Sequence, residues 1–162
     1  MSELPRIDRV KVERPYTLVI RWRDGTRSRV DLTGLVSRFV PFAPLRDEDV
    51  FAAVEIVDFG TGVEWPGGLD SSAVALRRLA QSQRAMTGAD FVRWQKAHEL
   101  SNQEAADLLG VALSTVKGYR RRKRRLPKAI QIACHTIDAD PTAFYAHFRP
   151  RRSGRPRQRR AA

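Results

Sequence analysis

Hydrophobic and polar positions change period near the middle of the chain. From Ile7 to Val12 apolar and charged residues approximately alternate, and Tyr16 to Trp22 is dense in β-branched and aromatic side chains. Both runs predict strands, separated by Pro15. Asp24-Gly25 predicts a two-residue hairpin turn with both residues at positive φ, leading into a strand over Arg27 to Leu32 with Val30 and Leu32 on one face. Leu35 to Val40 and Asp47 to Phe51 read as short helical turns. Ala53 to Phe59 and Val63 to Trp65 read as a second strand pair around Gly60-Thr61-Gly62. Trp65-Pro66-Gly67-Gly68 then ends the sheet, with Phe59 and Trp65 packed on it. The spacing of Val74, Ala75, Leu76 and Leu79 predicts a closing helix over Ser71 to Leu79.

Beyond Gln81-Ser82-Gln83-Arg84, which is polar and aperiodic, the spacing turns helical. Thr87 and Asp90 have the form of a capping box, opening a helix with Phe91, Val92, Trp94 and Ala97 inward. Ser101 and Glu104 form a second box ahead of Ala105-Ala106-Asp107-Leu108-Leu109, and Gly110 stops that helix. A third helix over Leu113 to Arg121 buries Val116 and Tyr119. Pro127 suits the first position of a fourth helix with Ile130, Ala133, Cys134 and Ile137 inward, and Asp140-Pro141 opens a fifth through Phe144, Tyr145 and Phe148. From Pro150 the Arg-Gly-Pro-Ser composition cannot bury a core and predicts disorder. The expected class is therefore α+β: a small β-rich α+β domain over 1–80, a linker over 81–86, an all-α five-helix domain over 87–149 and an Arg-rich tail over 150–162.

Charge separates the halves more sharply still. The 162 residues carry 30 Lys plus Arg against 18 Asp plus Glu, a net charge of +12, and are 42% hydrophobic, enough for two small cores. Residues 1–80 carry 12 basic and 12 acidic side chains, whereas 81–162 carry 18 and 6. Lys117 and Arg120 to Arg125 supply seven of these cations, and Arg149, Arg151, Arg152, Arg155, Arg157, Arg159 and Arg160 another seven. A polyanionic partner is thus addressed by two short segments. The lone Cys134 permits neither an internal disulfide nor a multi-cysteine zinc site. No apolar run approaches a membrane span, and Met1-Ser2-Glu3-Leu4-Pro5 is no export signal, so a cytoplasmic protein without membrane contact is expected.

Two short capped helices joined by a tight turn are the physical content of a helix-turn-helix, whose second helix can enter a DNA major groove. A helical bundle that never meets nucleic acid has the same periodicity. Charge favours DNA, because a solvated face mixes signs whereas Arg120 to Arg125 is uninterrupted and follows the third helix directly. Ser114, Thr115, Lys117 and Arg121 are expected to face bases or adjacent phosphates. Asn102 and Gln103 are expected to anchor the start of the second helix, and Arg120, Arg121, Arg122, Lys123, Arg124 and Arg125 to lie on the flanking backbone. The segment from Thr87 to Phe148 resembles the lambda-repressor-like, Xre-type helix-turn-helix family. That resemblance implies base contacts from Leu113, Ser114, Lys117 and Gly118, and a phosphate contact from Asn102, where the family usually has Gln. In two places the chain departs from the family pattern. Ala112 replaces the usual Ser or Thr cap, which predicts a helix start shifted toward Ser114, and Arg122 replaces the glycine that normally follows.

The first half resembles the domain-of-unknown-function family 2442 in its Tyr16 to Trp22 strand, Asp24-Gly25, Val30-Asp31-Leu32, Leu45 with Phe51, and Val63-Glu64-Trp65-Pro66-Gly67-Gly68-Leu69-Asp70. The resemblance implies a small α+β domain, in some members followed by a helix-turn-helix or encoded beside toxin-like partners. Neither a catalytic residue nor a metal or cofactor is expected. His98, His135 and His147 all lie in the helical half, so the β-rich domain has no histidine for a triad, and its carboxylates Asp31, Glu55, Asp58, Glu64 and Asp70 are spread. The expectation is a homodimeric, sequence-specific regulator of transcription on double-stranded DNA, antitoxin-like by analogy, with an N-terminal domain that senses, dimerises or binds a protein partner. Two alternatives fit the same residues: an RNA-binding protein using the basic run and tail, and a toxin-neutralising module with secondary DNA binding.

Overall fold

The computed structural model describes residues 4–151, and the chain divides into two compact units between Arg84 and Ala85. In the first, strands β1 (Ile7–Glu13), β2 (Thr17–Trp22) and β3 (Arg27–Asp31) form an antiparallel sheet with β2 central. Helix α1 (Thr33–Arg38), a 3-10 segment over Val40–Arg46 and helix α2 (Glu48–Ala52) follow. A second antiparallel sheet, β4 (Glu55–Val57), β5 (Gly62–Trp65) and β6 (Leu69–Ser72), precedes α3 (Ala73–Gln83). Period-two alternation puts Leu18, Ile20 and Trp22 of β2 inside with Val30 of β3, against Phe51 and Trp65. Both indoles are satisfied: Trp22 Nε1 donates to Ser28 Oγ at 2.9 Å and Trp65 Nε1 to the Phe51 carbonyl at 2.9 Å.

The turns of this unit differ from expectation. Only Gly25 of the Asp24-Gly25 pair has positive φ, 82°, and Trp22 N–H bonds Thr26 O at 2.9 Å, so the hairpin closes over the three residues Arg23-Asp24-Gly25. Asp24 stays out of the left-handed region because its carboxylate takes the Thr26 N–H at 2.8 Å, a local side-chain turn. Pro66-Gly67-Gly68 does not end the second sheet but turns it into β6, both glycines having positive φ, and Ser72 caps α3 instead of lying within it. Gly62 is a strand residue paired with Ser72, and the β4–β5 connection runs through Asp58-Phe59-Gly60. Phe59 does not pack on the sheet: it is 87% exposed, at φ 57°.

The second unit comprises, among the described residues, α4 (Gly88–Ala97), α5 (Asn102–Leu109), α6 (Leu113–Arg121), α7 (Lys128–Ala139) and α8 (Pro141–His147). Phe91, Trp94, Ala105, Ala106, Val116, Tyr119, Leu126, Ile130, Cys134 and Ile137 form its core. Both capping boxes form, at Thr87–Asp90 and Ser101–Glu104, and Gly110 takes the left-handed C-cap conformation at φ 66°. Pro127 stands at the N-cap of α7, one residue before the expected place. On α4 the buried fourth position is Gln95, while Ala97 is exposed. Met86 is buried in this core and bonds Gln131 Oε1 and Leu126 N–H, so only Arg84 and Ala85 lie between α3 and residues tied to the second unit. Burial, with the Asp138 carboxylate as a smaller cause, pushes the Cys134 thiol up to about 12.

Candidate nucleic-acid interface

The pair α5 and α6 is held from inside by small residues. Ala105 and Ala106 are fully buried where α5 packs on α6, and the connection is only Gly110-Val111-Ala112. Ala112 supplies no side-chain cap, yet α6 still starts at Leu113, because Ala112 already has the extended cap geometry of φ −68° and ψ 150°. The expected shift to Ser114 does not occur. Instead Thr115 and Val116 N–H both bond Ala112 O, leaving the N–H groups of Leu113 and Ser114 without an intrahelical partner.

Gln95 is the centre of the polar scaffold. Its side chain, 3% exposed, donates through Nε2 to Leu100 O at 2.9 Å and Asn102 Oδ1 at 3.0 Å, and accepts from Arg120 Nη1 at 2.7 Å. One buried amide thereby joins α4, the start of α5 and the end of α6. Asn102 has its oxygen engaged, so its N–H2 group is what it has to offer a ligand. Gly88 completes the frame: a Cβ there would lie 2.5 Å from Tyr119 O and closer still to Arg122 O, and Gly88 N–H donates to Arg122 O at 2.9 Å. Arg122 itself ends α6 in extended conformation, without the glycine the family pattern would place there.

The residues expected to read DNA fall into three groups. Ser114, Lys117, Gly118 and Arg121 share the exposed side of α6, while Leu113 and Thr115 are half-buried. Arg121, Arg122, Lys123, Arg124 and Arg125 are exposed, and among the described residues neither they nor Lys117 have an acidic partner. Arg120 and Gln103 each have a partner within the unit. Arg120 gives one N–H to the neutral Gln95 amide, with no acidic partner among the described residues, and Gln103 Nε2 donates to Asp107 Oδ1 at 3.1 Å. Asp107 also takes Arg151 Nε at 2.8 Å, and Arg151 N–H bonds Glu104 Oε1 at 3.2 Å. Hydrogen bonds from Arg151 and then Gln103 hold the Asp107 carboxyl below its ordinary range. Arg151, expected in a disordered tail, is therefore anchored on α5, and the rest of the tail, Arg152 to Ala162, lies outside the described residues.

In the first unit seven of the arginines have partners. Arg14 pairs with Glu48 and Asp49, Arg21 with Asp8, Arg29 with Glu13, and Arg77 with Asp24. Arg6, Arg23 and Arg46 donate to backbone carbonyls. Sequence reasoning missed Gln95, Gly88 and the Arg151 anchor. A polar residue four places after Phe91, on the buried side of α4, was the available signal for Gln95; nothing local marks the other two.

Among the described residues no helix is long and apolar enough to cross a membrane, and no three His, Cys, Asp or Glu side chains gather as a metal would require. No curated protein matches the chain. It is similar to the crystal structure of a candidate DNA-binding protein from Nitrosomonas europaea, at 26% identity over 98% of each chain and a TM-score of 0.43. The model of a family of proteins of unknown function, DUF2442, matches residues 7–82, which lie within the first unit and leave the helical unit outside the match.

Proposed function

We propose that the chain is a sequence-specific DNA-binding regulator of transcription, with α5 and α6 acting as a lambda-repressor-like helix-turn-helix and α6 as the helix that enters the major groove. The observation that carries this reading is the set of six cations, Lys117 and Arg121 to Arg125, exposed along and just beyond α6 without acidic partners among the described residues. In the first unit Arg9, Lys11, Arg27, Arg38 and Arg78 are also exposed without an acidic partner among the described residues, but they are scattered along the sequence, whereas these six lie within residues 117–125. Exposed cations held together against their mutual repulsion suit a phosphate backbone. Ser114, Lys117 and Arg121 then reach base edges or neighbouring phosphates, and Asn102 donates to a phosphate at the start of α5.

A homodimer reading paired half-sites, binding without catalysis and a cytoplasmic location belong to the same proposal. So does an antitoxin-like role in which the first unit holds a protein partner; Phe59, projecting at 87% exposure from a turn of three positive-φ residues, supports that part. Selection of bound sequences from a random duplex pool tests the function. The expected result is a defined motif, lost in the double variant Lys117→Ala, Arg121→Ala. Binding without any enriched motif, or preference for structured RNA at equal salt, overturns it.

A further inference from the structure

We infer that Gly118 is the point of closest approach between α6 and the duplex, and that its missing side chain determines which sequences fit; the inference rests on the reading of α6 as the groove-entering helix. Glycine in a helix interior weakens the helix, so it needs a reason. The other described glycines of this unit have one: Gly110 has a φ of 66°, and Gly88 is packed against the carbonyls of Tyr119 and Arg122. Gly118 has neither. Its φ is ordinary, it is exposed, and a Cβ built on it meets nothing within 4 Å. The fold itself would accept alanine and gain from it.

What the glycine provides is bare backbone on the exposed side of α6. Ser114 lies one turn earlier on the same face, with Lys117 and Arg121 alongside. An α-helix with its side chains is roughly 10–12 Å across and the major groove roughly 12 Å wide, so a helix seats deeper where one side chain is absent. At Gly118 the backbone itself can then meet the base edges, while Lys117 and Arg121 extend to either side.

The test compares wild type, Gly118→Ala and Lys117→Ala in thermal unfolding and in binding to the selected duplex over a range of salt. Gly118→Ala is expected to melt about 2–6 °C higher than wild type. It is expected to bind at least ~10-fold more weakly with an unchanged salt slope, because no phosphate contact is lost, and Lys117→Ala is expected to lose affinity with a shallower slope. If Gly118→Ala binds as well as wild type, or melts lower, Gly118 serves no close approach and the inference is overturned while the proposed function stands. If wild type selects no duplex sequence, the function fails first and the inference with it.

Discussion

At the scale of single residues, the second unit depends on one amide that ordinary hydrophobic patterning would pass over. Gln95 satisfies Leu100 O, Asn102 Oδ1 and Arg120 at once. Replacing it with the similarly sized Leu leaves a buried carbonyl without its partner, together with an amide oxygen and a guanidinium whose bonds to Gln95 are half-buried. Gln95→Leu is therefore expected to lower the unfolding free energy by about 1–3 kcal/mol, measured by urea denaturation, and to weaken DNA binding as Asn102 and Arg120 lose their hold. An equally stable variant would remove Gln95 from the scaffold. In the first unit, Asp24 is held down from 3.8 to about 2, first by the Thr26 hydroxyl, then by the Thr26 N–H and by Arg77. A carboxyl depressed in the folded state stabilises fully above its unfolded pKa and loses that contribution as pH falls through the folded one. Wild type should thus lose a component of thermal stability between pH 3.8 and about 2 that Asp24→Asn lacks.

At the scale of elements, the position of α6 depends on how closely its end approaches the start of α4. Gly88→Ala forces a methyl group into the Tyr119 and Arg122 carbonyls, which are backbone and cannot swing aside. The expected cost is about 1–3 kcal/mol in unfolding free energy, accompanied by weaker binding, because α6 and the cations after it must shift. Unchanged stability would mean that α4 and α6 separate freely. This contact was not legible in the sequence, since it is a tertiary approach between residues 34 apart (Gly88 and Arg122) with no local mark beyond a glycine inside a capping box. What was legible had local causes: the two capping boxes, the left-handed Gly110, the alternation of β2 and the helical spacing of α4 to α8. The β6 strand was missed because Leu69-Asp70-Ser71-Ser72 has no apolar alternation; it pairs with β5 through backbone bonds and two positive-φ glycines. For the candidate site, the identity of the exposed cations followed from the charge run. That Arg120 and Gln103 are engaged internally did not, because their partners Gln95 and Asp107 are set by packing and by helical facing.

At the scale of the molecule, charge is divided between units and, within the second, between cations that have partners and cations that do not. Arg151 is paired with Asp107, whereas Arg120 gives one N–H to the neutral Gln95 amide and keeps its charge. If Lys117 and Arg121 to Arg125 each neutralise one phosphate, the logarithm of the binding constant should fall with the logarithm of salt at a slope of about −5. Beyond Arg151 the chain carries five more arginines and no acidic side chain. A full-length slope well steeper than about −5 means those arginines also release counterions, and deletion of residues 152–162 should then restore about −5. The same deletion leaving the slope unchanged assigns the whole electrostatic contact to α6 and its exit. Removing the first unit, in which the 12 basic side chains of residues 1–80 are balanced by 12 acidic ones, should leave the slope as it is, whichever outcome the tail gives.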